Sequence, residues 1–153
     1  MSIETTDFPN AGFIRRIAAL IYDSFLVVAV WMASMTPIVV YVGGGQAVTG
    51  WVLQLFLYVE WFFFYYIFWR IKGQTLGMQV WKIKTIGPTG EMMTSVQCIL
   101  RWLVATLTLI PFGLGFFWML VDRERLTLYD RLTRTRCIYL GKNPYPSEKK
   151  KKA

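Results

Sequence analysis

The sequence predicts an all-α integral membrane protein: two transmembrane helices plus a broken or re-entrant helical hairpin, with a small cytoplasmic β element. Three observations support this prediction. The 153 residues are 55% hydrophobic, and the mean hydropathy is +0.40, which is more apolar surface than a domain of this size can bury. Long stretches carry no charged side chain. The basic residues that flank them all fit on one side of a bilayer.

The first part of the chain predicts a helical hairpin. A short polar arm, residues 1–10, precedes a first helix over 13–42. No charged residue occurs from Ser24 to Val59, a run too long for one span of about 20 residues. The three glycines at 43–45 divide it, so that a second helix is predicted over 51–70. Arg15 and Arg16 precede the apolar run of the first helix, and Arg70 and Lys72 end that of the second, which assigns both outer ends to the cytoplasmic side.

The middle of the chain predicts a β element over about residues 79–95. Residues 79–86 alternate apolar and polar side chains, and Gly87-Pro88-Thr89-Gly90 supplies turn residues. Glu91 to Thr94 is a candidate return strand. We expect the element to pair with a last strand at 135–140, which requires both segments to lie in the cytoplasm.

The third apolar segment, residues 97–121, contains the helix-breaking sequence Pro111-Phe112-Gly113-Leu114-Gly115. Arg101 precedes its uncharged stretch and five arginines follow it, so a single crossing would export those five against the positive-inside bias. A re-entrant hairpin keeps them in the cytoplasm, and we favour it over a single span, which stays open as the alternative. Residues 141–153 form a polybasic tail predicted to be disordered, so both termini are expected in the cytoplasm.

Several classes of function find little support in the sequence. The net charge is +8, but the basic residues flank apolar runs instead of forming a patch for phosphates, so the expected partner is the lipid bilayer and no nucleic acid. Cys98 and Cys137 lack a metal-ligand spacing, and no histidine is present as a general base. We therefore expect no enzyme, no metal and no cofactor. The aromatic row from Trp61 to Trp69 is interpreted as lipid-facing and interfacial packing.

Charged residues inside membrane segments are candidate functional sites because they are expensive to bury. Asp23 follows Arg16 by seven residues, which places both on one face of the first helix about 10 Å apart. Glu60 lies near the middle of the second helix, at an expected depth comparable with Asp23. Two interpretations stay open. Either Asp23 and Glu60 bind a cation or a proton, or Asp23 is held in a structural ion pair by Arg16, Arg101 or Arg123.

Three ordered motifs resemble the RDD family of membrane proteins. They are the segment from Ala11 to Asp23, the sequence Gly73-Gln74-Thr75-Leu76-Gly77, and Asp122-Arg123 with Leu128-Tyr129-Asp130-Arg131-Leu132. The resemblance covers roughly residues 11–140. It implies that Arg16 is the family arginine and that Asp23 and Asp130 are the two family aspartates. It also implies transport, with cation/proton antiport for some members.

The sequence thus leads to two hypotheses of function. The first is a small cation/proton transporter that acts as a homo-oligomer, because so few helices can hardly enclose a pathway alone. The second is a non-catalytic accessory or assembly subunit of a larger membrane protein complex. Arg16, Asp23, Glu60 and Asp130 form the candidate ion, proton or ion-pair site. The expected location is the bacterial cytoplasmic (inner) membrane.

Overall fold

The fold was examined in a computed structural model, which describes residues 8–109 and 113–141. Most of these residues are helical. The helices are α1 (Phe13–Pro37), α2 (Trp51–Ile71), α3 (Leu76–Val80), α4 (Ser95–Leu109), α5 (Leu114–Val121) and α6 (Leu128–Leu132), and the strands are β1 (Ile83–Ile86) and β2 (Arg136–Tyr139). Most of the predicted arm and nearly all of the predicted tail lie outside the described residues.

Helices α1 and α2 form a hairpin of two apolar helices. Helix α1 continues through a π-helical turn, Ile38–Val42, which begins directly after Pro37, a residue that cannot donate a helical hydrogen bond. The segments Phe13–Val42 and Trp51–Ile71 are both long and apolar enough, by length and composition, to cross a membrane. Large apolar side chains such as Phe25 and Trp51 are exposed along them, as expected for helices that face lipid.

The segment after α2 begins with a helical turn where the sequence predicted a strand from residue 79. Thr75 Oγ1 accepts a hydrogen bond from the Met78 N–H at 3.2 Å, so it caps α3 and sends residues 76–80 into a helix. Lys82, at a φ of 55°, then turns the chain into β1. The strand is therefore limited to Ile83–Ile86.

The predicted return strand, Glu91 to Thr94, is absent from the described structure, which contains no strand between β1 and β2. The reason lies in a competing local structure. The Thr94 N–H donates to Gln97 Oε1 at 2.9 Å and the Gln97 N–H donates to Thr94 Oγ1 at 3.3 Å. This reciprocal pair is a capping box, and it starts α4 in place of a strand.

Strands β1 and β2 pair in an antiparallel register, from Ile83 opposite Tyr139 to Ile86 opposite Arg136. The N-terminal segment adds to the other edge of β2. The Ala11 N–H donates to the Cys137 carbonyl at 2.8 Å, and the Tyr139 N–H donates to the Pro9 carbonyl at 2.8 Å. The start of α1, the segment after α2 and the last strand therefore meet at one end of the molecule.

The apolar segment predicted over 97–121 consists of two short helices, α4 and α5, on either side of the undescribed residues 110–112. Gly113, before α5, has a φ of 71°, a left-handed conformation that favours glycine. A Cβ atom on Gly115 would lie 2.2 Å from Thr108 Oγ1. The two helices therefore approach each other closely at a position that only glycine allows.

Candidate functional site

Three buried charged residues, Arg16, Arg101 and Asp130, form an ion cluster in which each side chain is at most 4% exposed. Arg16 Nη1 donates to Asp130 Oδ2. Arg101 Nη1 donates to Asp130 Oδ1 at 2.5 Å. Since the three residues come from α1, α4 and α6, one carboxylate connects three segments that are distant in sequence.

The carboxylate of Asp130 is positioned by the short helix that carries it. Thr127 caps α6: its hydroxyl accepts from the Asp130 N–H, and Asp130 Oδ2 accepts from the Thr127 N–H, both at 3.2 Å. Burial by itself would raise the pKa of Asp130, but the guanidinium groups of Arg101 and Arg16 outweigh it and lower the pKa to about 2. Asp130 is therefore ionised at any physiological pH.

The remaining donors of the two arginines bind the sheet and its surroundings. Arg16 Nε donates to the Ala11 carbonyl at 3.1 Å, and Arg16 Nη2 donates to the Cys137 carbonyl at 3.3 Å. Arg101 Nη1 also donates to Thr135 Oγ1 at 2.5 Å. The cluster, with two guanidinium groups and one carboxylate, carries one excess positive charge. Its hydrogen bonds to the N-terminal segment and β2 give it a structural role at the sheet.

Asp23 lies in a separate site between α1 and α3. It is 1% exposed. Thr75 Oγ1 donates to Asp23 Oδ2 at 2.5 Å, and the Gly77 N–H donates to Oδ1 at 2.8 Å. A Cβ atom on Gly77 would lie 2.4 Å from the Ala19 carbonyl oxygen, so glycine is needed for α3 to approach α1 this closely.

The expected ion pair between Asp23 and an arginine is not formed within the described residues. Arg16 and Arg101 bind Asp130 instead, and Arg123 is exposed. The spacing of seven residues placed Arg16 and Asp23 on one helix face, but it could not reveal that a carboxylate 114 residues away would take the arginine. Asp23 is thus a buried carboxylate bound by neutral donors.

Glu60 lies apart from Asp23, contrary to the expectation of comparable depth. Ser34 Oγ donates to Glu60 Oε2 at 2.9 Å, and Ser34 follows Asp23 by eleven residues, a rise of about 16 Å along α1. The contact of Trp31 Nε1 with the Leu57 carbonyl, at 3.1 Å, likewise joins the part of α1 after Asp23 to the first half of α2. Glu60 therefore packs against the second half of α1, beyond Asp23.

A cavity of about 160 Å³ connects the ion cluster with the Asp23 site. Its wall is mostly apolar and combines these charged groups with aromatic rings. The residues that line it include Arg16, Asp23, Tyr65, Trp69, Arg101, Trp102 and Tyr129. Tyr65 and Trp69 are both 6% exposed, so part of the aromatic row predicted to face lipid lies inside the protein.

Sequence reasoning missed several residues of this site. Thr75 and Gly77 belong to the Gly73–Gly77 motif, which the sequence analysis quoted without assigning it a contact. Trp69 gave no signal, because α2 is apolar on all sides and marks no inner face. Trp102, on α4, was not assigned a contact. Within the described ranges, no group of three histidine, cysteine or acidic side chains could hold a metal ion.

Comparisons with known proteins give one finding. A family model described as the RDD family matches residues 10–134, a range that includes both aspartate sites, Arg16 and Arg101. We found no significant match among curated proteins and none among solved structures.

Proposed function

The chain belongs to the RDD family, and from this premise we propose that it is a small membrane transporter that exchanges protons for small cations at Asp23. The observation behind the proposal is the environment of this carboxylate. Asp23 is buried inside an apolar helix long enough to span a membrane, and it lines a cavity. Ionisable groups in such helices are costly and usually serve a function.

Asp23 has the surroundings of a group that changes its charge. Thr75 and Gly77 supply two neutral hydrogen bonds, and no cationic side chain within the described residues forms an ion pair with it. A proton or a small cation would neutralise the carboxylate in turn, and exchange of one for the other is the elementary step of antiport. Asp130 is unsuited to this step, because its pKa of about 2 keeps it ionised.

We assign the ion cluster a positioning role. Arg16 and Arg101 hold Asp130, and their other hydrogen bonds reach the N-terminal segment and β2. The cluster thereby fixes the end of α1 on which Asp23 depends. Replacing one of its members should lower the stability of the protein and leave the ion selectivity of Asp23 unchanged.

The proposed topology has α1 and α2 crossing the bacterial cytoplasmic membrane, and α4 and α5 entering and leaving it from the cytoplasmic side. Support comes from the sheet, in which residues 9–11, β1 and β2 adjoin. An even number of crossings must therefore separate β1 from β2. The arginines after α5 assign that side to the cytoplasm by the positive-inside rule.

We further propose that the transporter is a homo-oligomer. Glu60 is only partly buried on α2, and within the described residues its carboxylate accepts a hydrogen bond from Ser34. A half-exposed carboxyl group facing hydrocarbon would be costly, and a second copy packed against this part of α1 and α2 would cover it. The oligomer would also supply the helices that a single chain lacks.

Transport is tested with purified protein in liposomes that carry an inner pH dye and an imposed pH gradient. Addition of Na⁺, K⁺ or Li⁺ should dissipate the gradient with the wild type and fail with Asp23→Asn, a variant that keeps the size of the side chain and one oxygen to accept from the Gly77 N–H. Asp122→Asn is the matched control, because Asp122 pairs with Arg131 outside the apolar helices. Equal rates for wild type and Asp23→Asn would refute the role of Asp23.

The oligomer is tested by measuring the mass of the protein after mild extraction. We expect a complex of identical chains, which Glu60→Lys should disrupt. Recovery of a stoichiometric second protein instead would support the accessory-subunit hypothesis and contradict the homo-oligomer.

A further inference from the structure

We infer that the cavity beside the ion cluster binds a small organic anion, an aromatic or compact aliphatic carboxylate. Its apolar part would lie among the rings, and its carboxylate would accept hydrogen bonds from Trp69, Arg101 and Trp102. This inference goes beyond the proposed antiport and does not require transport of any kind. It rests on unpartnered donors, on the chemistry of the wall and on the size of the cavity.

Three buried N–H groups of the cavity residues have no hydrogen-bond partner within the described part of the chain. They are Trp69 Nε1, Arg101 Nε and Trp102 Nε1, and their residues are at most 6% exposed. Most buried polar groups in native proteins are paired, and each one left unpaired costs about 1–3 kcal/mol. Three such groups around one cavity indicate an acceptor that the described residues do not supply.

The three N–H groups lack a hydrogen-bond acceptor, and their chemistry indicates which ligand group would supply it. An indole nitrogen and a guanidinium nitrogen can only donate, so the complementary ligand group is one that only accepts, and a carboxylate has two such oxygens. Arg101 is also stacked near the rings of Trp69 and Tyr129, at 5.3 and 4.8 Å from its central carbon. Its guanidinium is therefore held beside the indole that would share the ligand.

The charge of the surroundings is compatible with an anion. Arg16 and Arg101 exceed Asp130 by one positive charge. The opposing group is Asp23, and each of its oxygens already accepts a hydrogen bond from Thr75 or Gly77. Anion binding should therefore be strongest when Asp23 is protonated.

The cavity also limits the size of the ligand. Its volume of about 160 Å³ is close to that of an engineered apolar cavity, about 150 Å³, that binds benzene. Much of its wall is aromatic, including Trp61, Tyr65 and Phe116. Benzoate combines a ring of this size with one carboxylate, so it is a suitable probe.

The test measures binding of radiolabelled benzoate to the full-length protein in lipid nanodiscs by equilibrium dialysis, with empty nanodiscs as the blank. Benzamide and benzamidine are competitors of the same shape, neutral and cationic. We expect saturable benzoate binding, at least tenfold weaker competition by benzamide, and none by benzamidine. Equal competition by benzamide, benzamidine and unlabelled benzoate would refute an anion site, and absence of saturable benzoate binding would overturn the inference.

Two variants test the donors themselves. Trp69→Phe and Trp102→Phe each keep an aromatic ring and remove one N–H, and each should weaken benzoate binding at least about tenfold, as expected for a hydrogen bond to a charged group. Trp118→Phe is the control, because Trp118 is 48% exposed and does not line the cavity. Unchanged affinity in both cavity variants would overturn the inference. Since binding is measured at equilibrium, failure of transport leaves this test unaffected.

Discussion

Replacement of Asp130 by asparagine should be among the most destabilising single changes in this protein. The variant leaves Arg16 and Arg101 buried without a carboxylate, and it weakens the capping box with Thr127. Removing one partner of a buried ion pair typically costs about 3–5 kcal/mol. For a chain of this size, that corresponds to a fall in Tm of roughly 6–20 °C.

The assay is thermal unfolding of the purified protein in detergent, followed by tryptophan fluorescence. Asp122→Asn is the matched control and should lower Tm far less, because the arginine that loses this carboxylate, Arg131, is 45% exposed and stays in contact with solvent. An apolar triple variant, Arg16→Met with Arg101→Met and Asp130→Leu, should recover much of the loss, since no unpaired charge stays buried. If Asp130→Asn melts within about 2 °C of the wild type, the ion cluster does not hold the three segments together.

Three further predictions follow from the same contacts. Because its pKa is lowered from 3.8 to about 2 in the folded state, Asp130 should contribute its full stabilisation above pH 4 and lose it as the pH falls toward 2. If the stabilities of wild type and Asp130→Asn fall in parallel over this pH range, the prediction is contradicted. Gly77→Ala should destabilise by about 1–3 kcal/mol, because its Cβ would meet a main-chain carbonyl of α1. Gly12→Ala, where no atom lies within 4 Å of the added Cβ, is its control in chemical denaturation, and equal losses would argue against close packing of α3 on α1. In right-side-out vesicles, a membrane-impermeant thiol reagent should label Gln46→Cys and leave Arg123→Cys unlabelled until the vesicles are opened; the opposite pattern for Arg123→Cys would exclude the re-entrant hairpin.

The helical hairpin could be predicted from sequence because its signal is local. Apolar runs of membrane length and a glycine break at 43–45 define α1 and α2 without knowledge of their neighbours. The β element was less predictable. Residues 79–86 alternate as a strand should, but the hydroxyl of Thr75 caps a helix at their beginning, and a single side-chain hydrogen bond of this kind competes with the pattern.

The contacts of the site join residues that are far apart in the chain, and residue spacing along the sequence does not predict such contacts. Arg16 and Asp23 share a helix face, yet they bind partners from different segments, Asp130 and Thr75. The partner of Glu60 could not be obtained by counting from Arg70, because its contact with Ser34 depends on how α1 and α2 pack. The family motif includes Thr75 and Gly77, but it does not indicate which residue they bind.

The separation of Arg16 from Asp130 also has a consequence for biosynthesis. The two residues are 114 positions apart, and a ribosome adds about 5–20 residues per second. Each nascent chain therefore carries the Arg16 guanidinium for roughly 6–23 s before its carboxylate has been made. The ion cluster can therefore form only at the end of synthesis, when α6 has been made. The attachment of the start of α1 to the last helix is for this reason a late event in the folding of the chain.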